Sequence, residues 1–230
     1  IQPGVEIRAQ SDVGIVIQGS LNAVGAAGDT IRFLPHLAAQ WGGLNFFGGD
    51  SSTIHFAEIT GVRTEFIVNF GGGEVCGDCA KPAQDGEAPK RIKGNRTPAR
   101  VASARPANST PTESAGGIYL EGAGTNLGLA NSIIHGNTAP WGAGIGVSDG
   151  AFLSAVDCDI TNNVGLDMLG NGSAGGGIGV INLASVELTN CTIDNNTADN
   201  MGGGLWLSDA EASLTNCVVS LNTASTTSGG

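Results

Sequence analysis

The sequence predicts an all-β solenoid, and three observations support this fold class: a regular repeat, short alternating apolar segments, and abundant glycine. Four segments of the second half share one pattern, 127–137, 153–163, 186–196 and 212–222, and they end in Asn137, Asn163, Asn196 and Asn222. These asparagines recur after 26, 33 and 26 residues. A repeat of this length indicates a coil in which each unit buries its apolar face on its neighbours.

A glycine step precedes or follows each of these segments. The steps are Gly117-Ile-Tyr-Leu, Gly144-Ile-Gly-Val, Gly177-Ile-Gly-Val and Gly204-Leu-Trp-Leu. The apolar segments alternate with period 2 over three to five residues, which is typical of strands and too short for helices. We expect part of the 38 glycines to supply turns with positive φ, as in 175–177 and 202–204.

The first half carries the same apolar-polar-apolar triplets, at 5–7, 31–33 and 54–56. They predict one inward column made of Ile7, Phe33, Phe56, Leu129, Ala155, Leu188 and Leu214, with steps of 26, 23, 73, 26, 33 and 26 residues. The long step contains one ordinary unit and an insertion of roughly 45 residues. The prediction is a single domain over 1–230, with about seven rungs of parallel strands and one long loop insertion at 61–114.

The ends of the chain lie inside the repeat pattern, so we expect it to be part of a longer protein. An uncapped solenoid end exposes strand edges, which favours association with further rungs. No stretch of about 18 apolar residues occurs, so no transmembrane segment is expected.

Two pairs of segments resemble a known repeat: 176–178 with 193–196, and 203–205 with 219–222. They resemble the paired Gly-Gly-x-Ile and Phe-x-x-Asn motifs of polymorphic outer-membrane-protein repeats, with Ile or Val in place of Phe. Segments 19–33 and 41–46 resemble the first rungs of bacterial right-handed parallel β-helix proteins. The resemblance implies a right-handed parallel β-helix in a bacterial, exported protein. Adhesins, autotransporter passenger domains and polysaccharide lyases share this fold, so the fold alone does not identify a function.

Two columns of side chains should stabilise the coil from inside. Stacked at one turn, Asn137, Asn163, Asn196 and Asn222 would form a ladder of amide hydrogen bonds. Ser132, Cys158, Cys191 and Cys217 form a second inward column, which we interpret either as small apolar filler or as the site of a Cys191–Cys217 disulfide.

The insertion contains a Cys-x-x-Cys motif at Cys76 and Cys79. Such a motif is compatible with a redox pair, half of a zinc site or a small structural disulfide. Because no second Cys-x-x-Cys and no nearby histidine could complete a zinc site, we predict a disulfide between Cys76 and Cys79, formed in an oxidising compartment.

The insertion also contains most of the positive charge. The chain has 10 basic and 21 acidic residues, a net charge of −11, yet seven of the ten basic residues lie between Lys81 and Arg105. The candidates for binding a polyanion are Lys90, Arg91, Lys93, Arg96, Arg100 and Arg105. The polyanion would be an acidic polysaccharide or the acidic flank of a neighbouring copy; the alternative is a solvated loop. Nucleic acid is not expected, because the acidic body repels phosphate and no aromatic residues interleave the cations.

Acidic residues of the later rungs offer the only pattern that suggests catalysis. Asp157, Asp159 and Asp194 would lie near one another, as carboxylates do in glycan-cleaving enzymes, but no Lys or Arg follows Arg63 outside the insertion. We therefore predict no catalytic residues. Asp149, Asn182 and Asp209 share one register and predict either a weak calcium site or turns capped by their own side chains. We therefore expect no cofactor, with calcium as the one exception that the pattern allows.

The sequence thus predicts an extracellular or cell-surface structural or adhesive protein without catalytic activity. Its partners would be a glycan, another cell-surface molecule or copies of itself in a surface assembly. The rival prediction is a polysaccharide-acting lyase or glycosidase, or a carbohydrate-binding module. Trp41, Trp141, Trp206 and Tyr119 would serve either as aromatic contact points or as filling of the core turns.

Overall fold

The computed structural model describes residues 1–10, 13–37, 40–63, 116–166 and 173–225, in which all regular elements are strands. The strands before the long insertion are β1 (Glu6–Ala9), β2 (Ile15–Ile17), β3 (Asn22–Val24), β4 (Ile31–Pro35), β5 (Leu44–Phe47), β6 (Ser51–His55) and β7 (Ala57–Thr60). The strands after it are β8 (Ile118–Glu121), β9 (Asn126–Ala130), β10 (Ile133–His135), β11 (Thr138–Ala139), β12 (Ile145–Ser148), β13 (Phe152–Val156), β14 (Asp159–Thr161), β15 (Val164–Gly165), β16 (Ile178–Ile181), β17 (Ser185–Thr189), β18 (Thr192–Asp194), β19 (Thr197–Ala198), β20 (Leu205–Ser208), β21 (Glu211–Thr215), β22 (Val218–Ser220) and β23 (Thr223–Ala224).

These strands form four sheets with parallel pairing between neighbouring strands. Sheet 1 has the order β1-β4-β7-β10-β14-β18-β22, and sheet 2 the order β2-β5-β8-β12-β16-β20. Sheet 3 runs β3-β6-β9-β13-β17-β21, and sheet 4 runs β11-β15-β19-β23. From β8 onward the chain visits sheets 2, 3, 1 and 4 in turn and then returns to sheet 2 one position along, whereas the described strands before β8 visit sheets 1, 2 and 3 in turn. The predicted all-β parallel solenoid is therefore confirmed. Within the described residues, no helix has the length and apolar content needed to cross a membrane.

The core runs continuously along the inside of the coil. Inward residues of neighbouring rungs are paired in register, as Ile134 with Ile160 and Ile160 with Ile193 in sheet 1, and all three are fully buried. Sheet 2 repeats this with Ile118, Ile145 and Ile178. Full burial of one such side chain stabilises the fold by about 1.5–3 kcal/mol, so the stacked aliphatic columns are the main source of stability.

The predicted inward column is wrong in the first half of the chain. Ile7 and Phe33 pair in sheet 1, where the next member is Ile59 rather than Phe56. In sheet 3, Ile54 is the residue that aligns with Leu129. Phe56 lies between β6 and β7 with φ at 49°, in the turn that joins the two sheets. The error arose because strands of sheets 1 and 3 carry the same apolar-polar-apolar triplet, so the pattern does not identify the sheet.

One corner of the coil absorbs the largest variation in repeat length. Between sheet 4 and sheet 2, the chain passes from Thr138 to Ile145 in 7 residues. The register-matched passage from Val164 to Ile178 takes 14, which explains the 33-residue period. At the same corner, the passage from Arg63 to Ile118 takes 55 and contains the insertion. Residues 61–63 of the predicted insertion continue the coil, while 64–114 lie outside the described residues.

Candidate functional site

The asparagine column lies inside the coil where sheet 1 passes into sheet 4. The Oδ1 atom of Asn163 accepts from the main-chain N–H and the Nδ2 of Asn137, at 3.1 and 3.0 Å. In the same way, Oδ1 of Asn196 accepts from Asn163, and Oδ1 of Asn222 accepts from Asn196. Asn137, Asn163 and Asn196 are fully buried, and Asn222 is half-buried. The structure brings the four predicted residues together in one continuous ladder that satisfies buried polar groups.

The repeated glycine step faces this ladder. A Cβ atom on Gly177 would lie 3.0 Å from Nδ2 of Asn196 and 2.5 Å from the carbonyl oxygen of Gly204. Gly117, Gly144 and Gly204 meet the Nδ2 atoms of their own ladder asparagines in the same way. Only a residue without a side chain leaves room for the asparagine amide there. The repeated glycine and the repeated asparagine of the sequence are therefore in direct contact in each of these rungs. The glycine two residues before the step has another role in the last two rungs, since Gly175 and Gly202 have φ of 66° and 56°.

The second inward column contains free thiols. Cys158 and Cys191 are buried, Cys217 is half-buried, and the structure shows no disulfide among these three residues. Each thiol donates to the carbonyl oxygen two residues earlier, at 3.2–3.4 Å, as the hydroxyl of Ser132 does at 2.7 Å. The column is thus built from small side chains that satisfy themselves locally.

The predicted calcium residues lie in a column of turns between sheets 2 and 3. Asp149, Asn182 and Asp209 all have positive φ, at 54°, 53° and 52°. The Nδ2 of Asn182 donates to Oδ1 of Asp149 at 3.0 Å, so this carboxylate accepts a hydrogen bond from the next rung. No group of three or more His, Cys, Asp or Glu side chains arranged for a metal occurs in the described parts of the chain. Calcium binding by this row stays a prediction.

Charged side chains on the outer face of sheet 1 form a network across its first four strands. Glu6 binds Arg8 at 2.9 Å and Arg32 at 3.3 Å, and Arg32 continues to Glu58 at 3.2 Å. Nε2 of His135 lies 3.0 Å from Glu58. The hydrogen bond from Arg8, and next the one from Arg32, lower the pKa of the Glu6 carboxyl. The network is solvent-exposed, so it contributes little stability but fixes opposite charges in one line.

Further along the same face, β14 and β18 each add one aspartate, Asp159 and Asp194. Where β14 pairs with β18, Asp159 lies opposite Thr192 and Thr161 lies opposite Asp194. Asp159 and Asp194 are thus diagonal neighbours, offset by two residues along the strands. Asp194 accepts hydrogen bonds from Ser220 of the next rung, at 2.7 Å, and from Asn195. Residues 116–230 contain ten acidic residues and no Lys or Arg. The second half of the chain is therefore acidic, which makes it complementary to a cationic partner and repulsive to anionic ones.

Aromatic residues cover the outer face of sheet 2. Tyr119 makes edge-to-face contacts with Phe47 at 5.8 Å and Trp141 at 6.0 Å. Trp141 lies against Gly179 and packs in the same cluster as the half-buried Trp206. Among the described residues, Nε1 of Trp141 is the one buried side-chain nitrogen or oxygen atom without a hydrogen-bond partner.

The four aromatic residues singled out in the sequence therefore differ in role. Trp41 is in the core and donates to the Thr60 carbonyl at 2.9 Å, Tyr119 and Trp141 are buried members of the aromatic cluster, and Trp206 alone of the four is partly accessible. Phe47 was missed. The third residues of the glycine steps, Tyr119, Gly146, Gly179 and Trp206, form one outward column in which two large side chains flank two glycines. Phe47 aligns with Glu121 instead, outside that column, so the repeat carried no signal for it.

The remaining predicted sites lie outside the described residues. These are the polyanion-binding candidates Lys90, Arg91, Lys93, Arg96, Arg100 and Arg105, and the cysteines Cys76 and Cys79. Both stay predictions.

Comparison of the chain with protein-family models, with curated proteins and with solved structures gave no match. The assignment as a parallel β solenoid therefore rests on the strand order and register of this chain. The likeness to polymorphic outer-membrane-protein repeats remains a resemblance of motifs.

Proposed function

We propose that this protein is a structural and adhesive β-helix, extracellular or on a bacterial cell surface, that acts without catalysis. The proposal is supported by the hydrogen bonds that polar side chains form between successive rungs. The buried asparagines bind one another along the axis, and the exposed Asp149–Asn182 and Asp157–Asn190 pairs connect rungs at 3.0 Å. Side chains that could perform chemistry are thus committed to holding successive turns in line, which favours a stiff rod.

The distribution of charge supports a role in contact with polyanions or with further copies of the chain. The outer surface of residues 116–225 is acidic, whereas the cations are concentrated in the sequence between Lys81 and Arg105. A basic segment on an acidic body can bind an acidic glycan, or the acidic face of a second molecule. Both contacts would weaken as salt screens them.

Replacing Lys90, Arg91, Lys93, Arg96, Arg100 and Arg105 with glutamine should weaken binding to an immobilised acidic polysaccharide such as heparin. Six ion pairs with the polysaccharide, at a few tenths of a kcal/mol each in water, predict a loss of roughly 100-fold at low salt. Affinity and salt-dependent self-association would be measured on the same protein. A variant with Arg8→Gln and Arg32→Gln is the matched control, because those cations are already paired with Glu6 and Glu58. Equal losses in both variants would contradict a role for the insertion.

A second candidate function, polysaccharide cleavage, is supported by the proximity of Asp159 and Asp194 on sheet 1. Two carboxylates near one bond are the machinery of many glycan-cleaving enzymes. We expect the protein to leave a panel of neutral and acidic polysaccharides intact, with and without Ca²⁺, as measured by reducing-end release. Depolymerisation that Asp159→Ala abolishes, while Asp157→Ala retains it, would replace the structural proposal with the enzymatic one.

A further inference from the structure

Three cysteines occupy equivalent positions in three successive rungs. The main-chain N–H of Thr192 donates to the carbonyl of Cys158 at 2.9 Å, and that of Val218 donates to the carbonyl of Cys191 at 2.9 Å. Cys158, Cys191 and Cys217 thus stand in register immediately before β14, β18 and β22. Neighbouring parallel strands lie about 4.8 Å apart, which falls within the Cα separation of about 4.4–6.8 Å that a disulfide spans.

The thiols also point in one direction. Sγ of Cys191 contacts the carbonyl oxygen of Ala155 at 3.5 Å, and Sγ of Cys217 contacts the equivalent oxygen of Leu188 at 3.4 Å. Both sulfur atoms therefore face the sheet 3 strand of the preceding rung. Because the two side chains share one orientation, their sulfur atoms are neighbours along the coil axis and no main-chain crossing separates them.

Access differs among the three thiols, and acidity differs between Cys158 and Cys191. Cys158 and Cys191 are buried, whereas Cys217 is half-buried and can be reached by a small molecule. The hydrogen bond with the Cys191 thiol, and then burial, raise the pKa of Cys158. The same hydrogen bond lowers the pKa of Cys191, so Cys191 ionises before Cys158. The thiolate is the nucleophile in disulfide exchange, so Cys191 is the better resolving group.

We propose that Cys191 and Cys217 form a reversible disulfide between rungs by exchange with a low-molecular-weight disulfide. The Cys217 thiolate attacks one sulfur of that molecule, which forms a mixed disulfide and releases one small thiolate. The Cys191 thiolate then attacks Sγ of Cys217, forms the protein disulfide and releases the second small thiolate. The two protein thiols lose two electrons and two protons in total, and the small disulfide is reduced to two thiols.

The test uses the full chain with Cys76→Ser and Cys79→Ser, incubated with glutathione disulfide, with free thiols then alkylated. A glutamate-specific protease suits this chain, because Glu187 and Glu211 separate the three cysteines onto different peptides. We expect mass spectrometry to find peptide 188–211 linked to 212–230, and dithiothreitol to reverse the link. The bridge closes a loop of about 26 residues, so oxidation should raise the Tm by roughly 5 °C after allowance for strain.

Two substitutions keep the result interpretable. Cys158→Ser should leave the link intact, and Cys217→Ser should abolish it; both should fold, because Ser132 fills the same position of the column in another rung. Three outcomes would overturn the proposal: a link between 122–187 and 188–211, stable glutathionylation of Cys217 alone, or three unmodified thiols in the folded protein.

Discussion

Asn163→Ala should destabilise the protein by about 4 kcal/mol, because it removes a residue in the interior of the ladder. The substitution leaves the main-chain N–H and the Nδ2 of Asn137 without their acceptor, and the carbonyl of Ile134 without the donor that lies 3.0 Å away. All of these groups are buried, so water cannot replace the lost bonds without a cavity. Urea unfolding followed by circular dichroism would give the change in the free energy of unfolding.

The matched control for Asn163 is Asn222→Ala. Asn222 makes the same bonds, to the N–H and Nδ2 of Asn196 and to the carbonyl of Ile193, but it is half-buried at the last described rung. Because the Asn222 side chain is itself half-buried, its removal lets solvent reach the groups that it bonded, so we expect a cost of about 1 kcal/mol. Similar costs for the two variants would show that the ladder acts only by filling space.

Gly177→Ala should cost about 3 kcal/mol through overpacking, although alanine normally stabilises a position with ordinary φ. The new methyl group would lie 2.5 Å from the carbonyl oxygen of Gly204, which is main chain and cannot rotate away. It would also press on the Asn196 side chain. Thermal unfolding should show a lower Tm, and the displaced asparagine should increase hydrogen exchange at Asn163.

Gly128→Ala is the control for this effect. Gly128 lies in the middle of β9, faces outward, and the nearest atom to an added Cβ is the Ser52 carbonyl oxygen at 3.8 Å. We expect a change within about 0.5 kcal/mol, or slight stabilisation from reduced freedom of the unfolded chain. If Gly128→Ala were as costly as Gly177→Ala, the explanation from contact with the ladder would be incorrect.

The coil could be predicted from the sequence because each repeated residue contacts the residue at the same position of the neighbouring rung. Asparagine at the ladder and glycine at the step recur because each rung places the same demand on the same position. The first half was harder, since Val62 takes the ladder position below Asn137 and donates its N–H to Asn137 Oδ1 at 3.1 Å. Without that marker, triplets of sheets 1 and 3 cannot be told apart, and Phe56 was placed in the wrong column.

The surface was predicted less well than the core. Trp41 lies at the corner that precedes sheet 2 and is internal, whereas Trp206 lies in β20 on the outer face of sheet 2 and is partly accessible. The pairing of Arg32 with both Glu6 and Glu58 needed the register of three strands, which the misplaced column had obscured. Outward side chains do not repeat regularly enough for their contacts to be predicted from a single sequence.

The variable corner between sheets 4 and 2 makes this chain a natural scaffold for peptide grafting. Pairing of β11 with β15 and of β12 with β16 is in register on both sides of it, although one passage has 7 more residues than the other. The entropy of closing a loop rises only with the logarithm of its length, so the coil bears little of the cost of a longer segment. New binding specificities could therefore be acquired there by exchange of whole loops, while the supporting architecture stays constant.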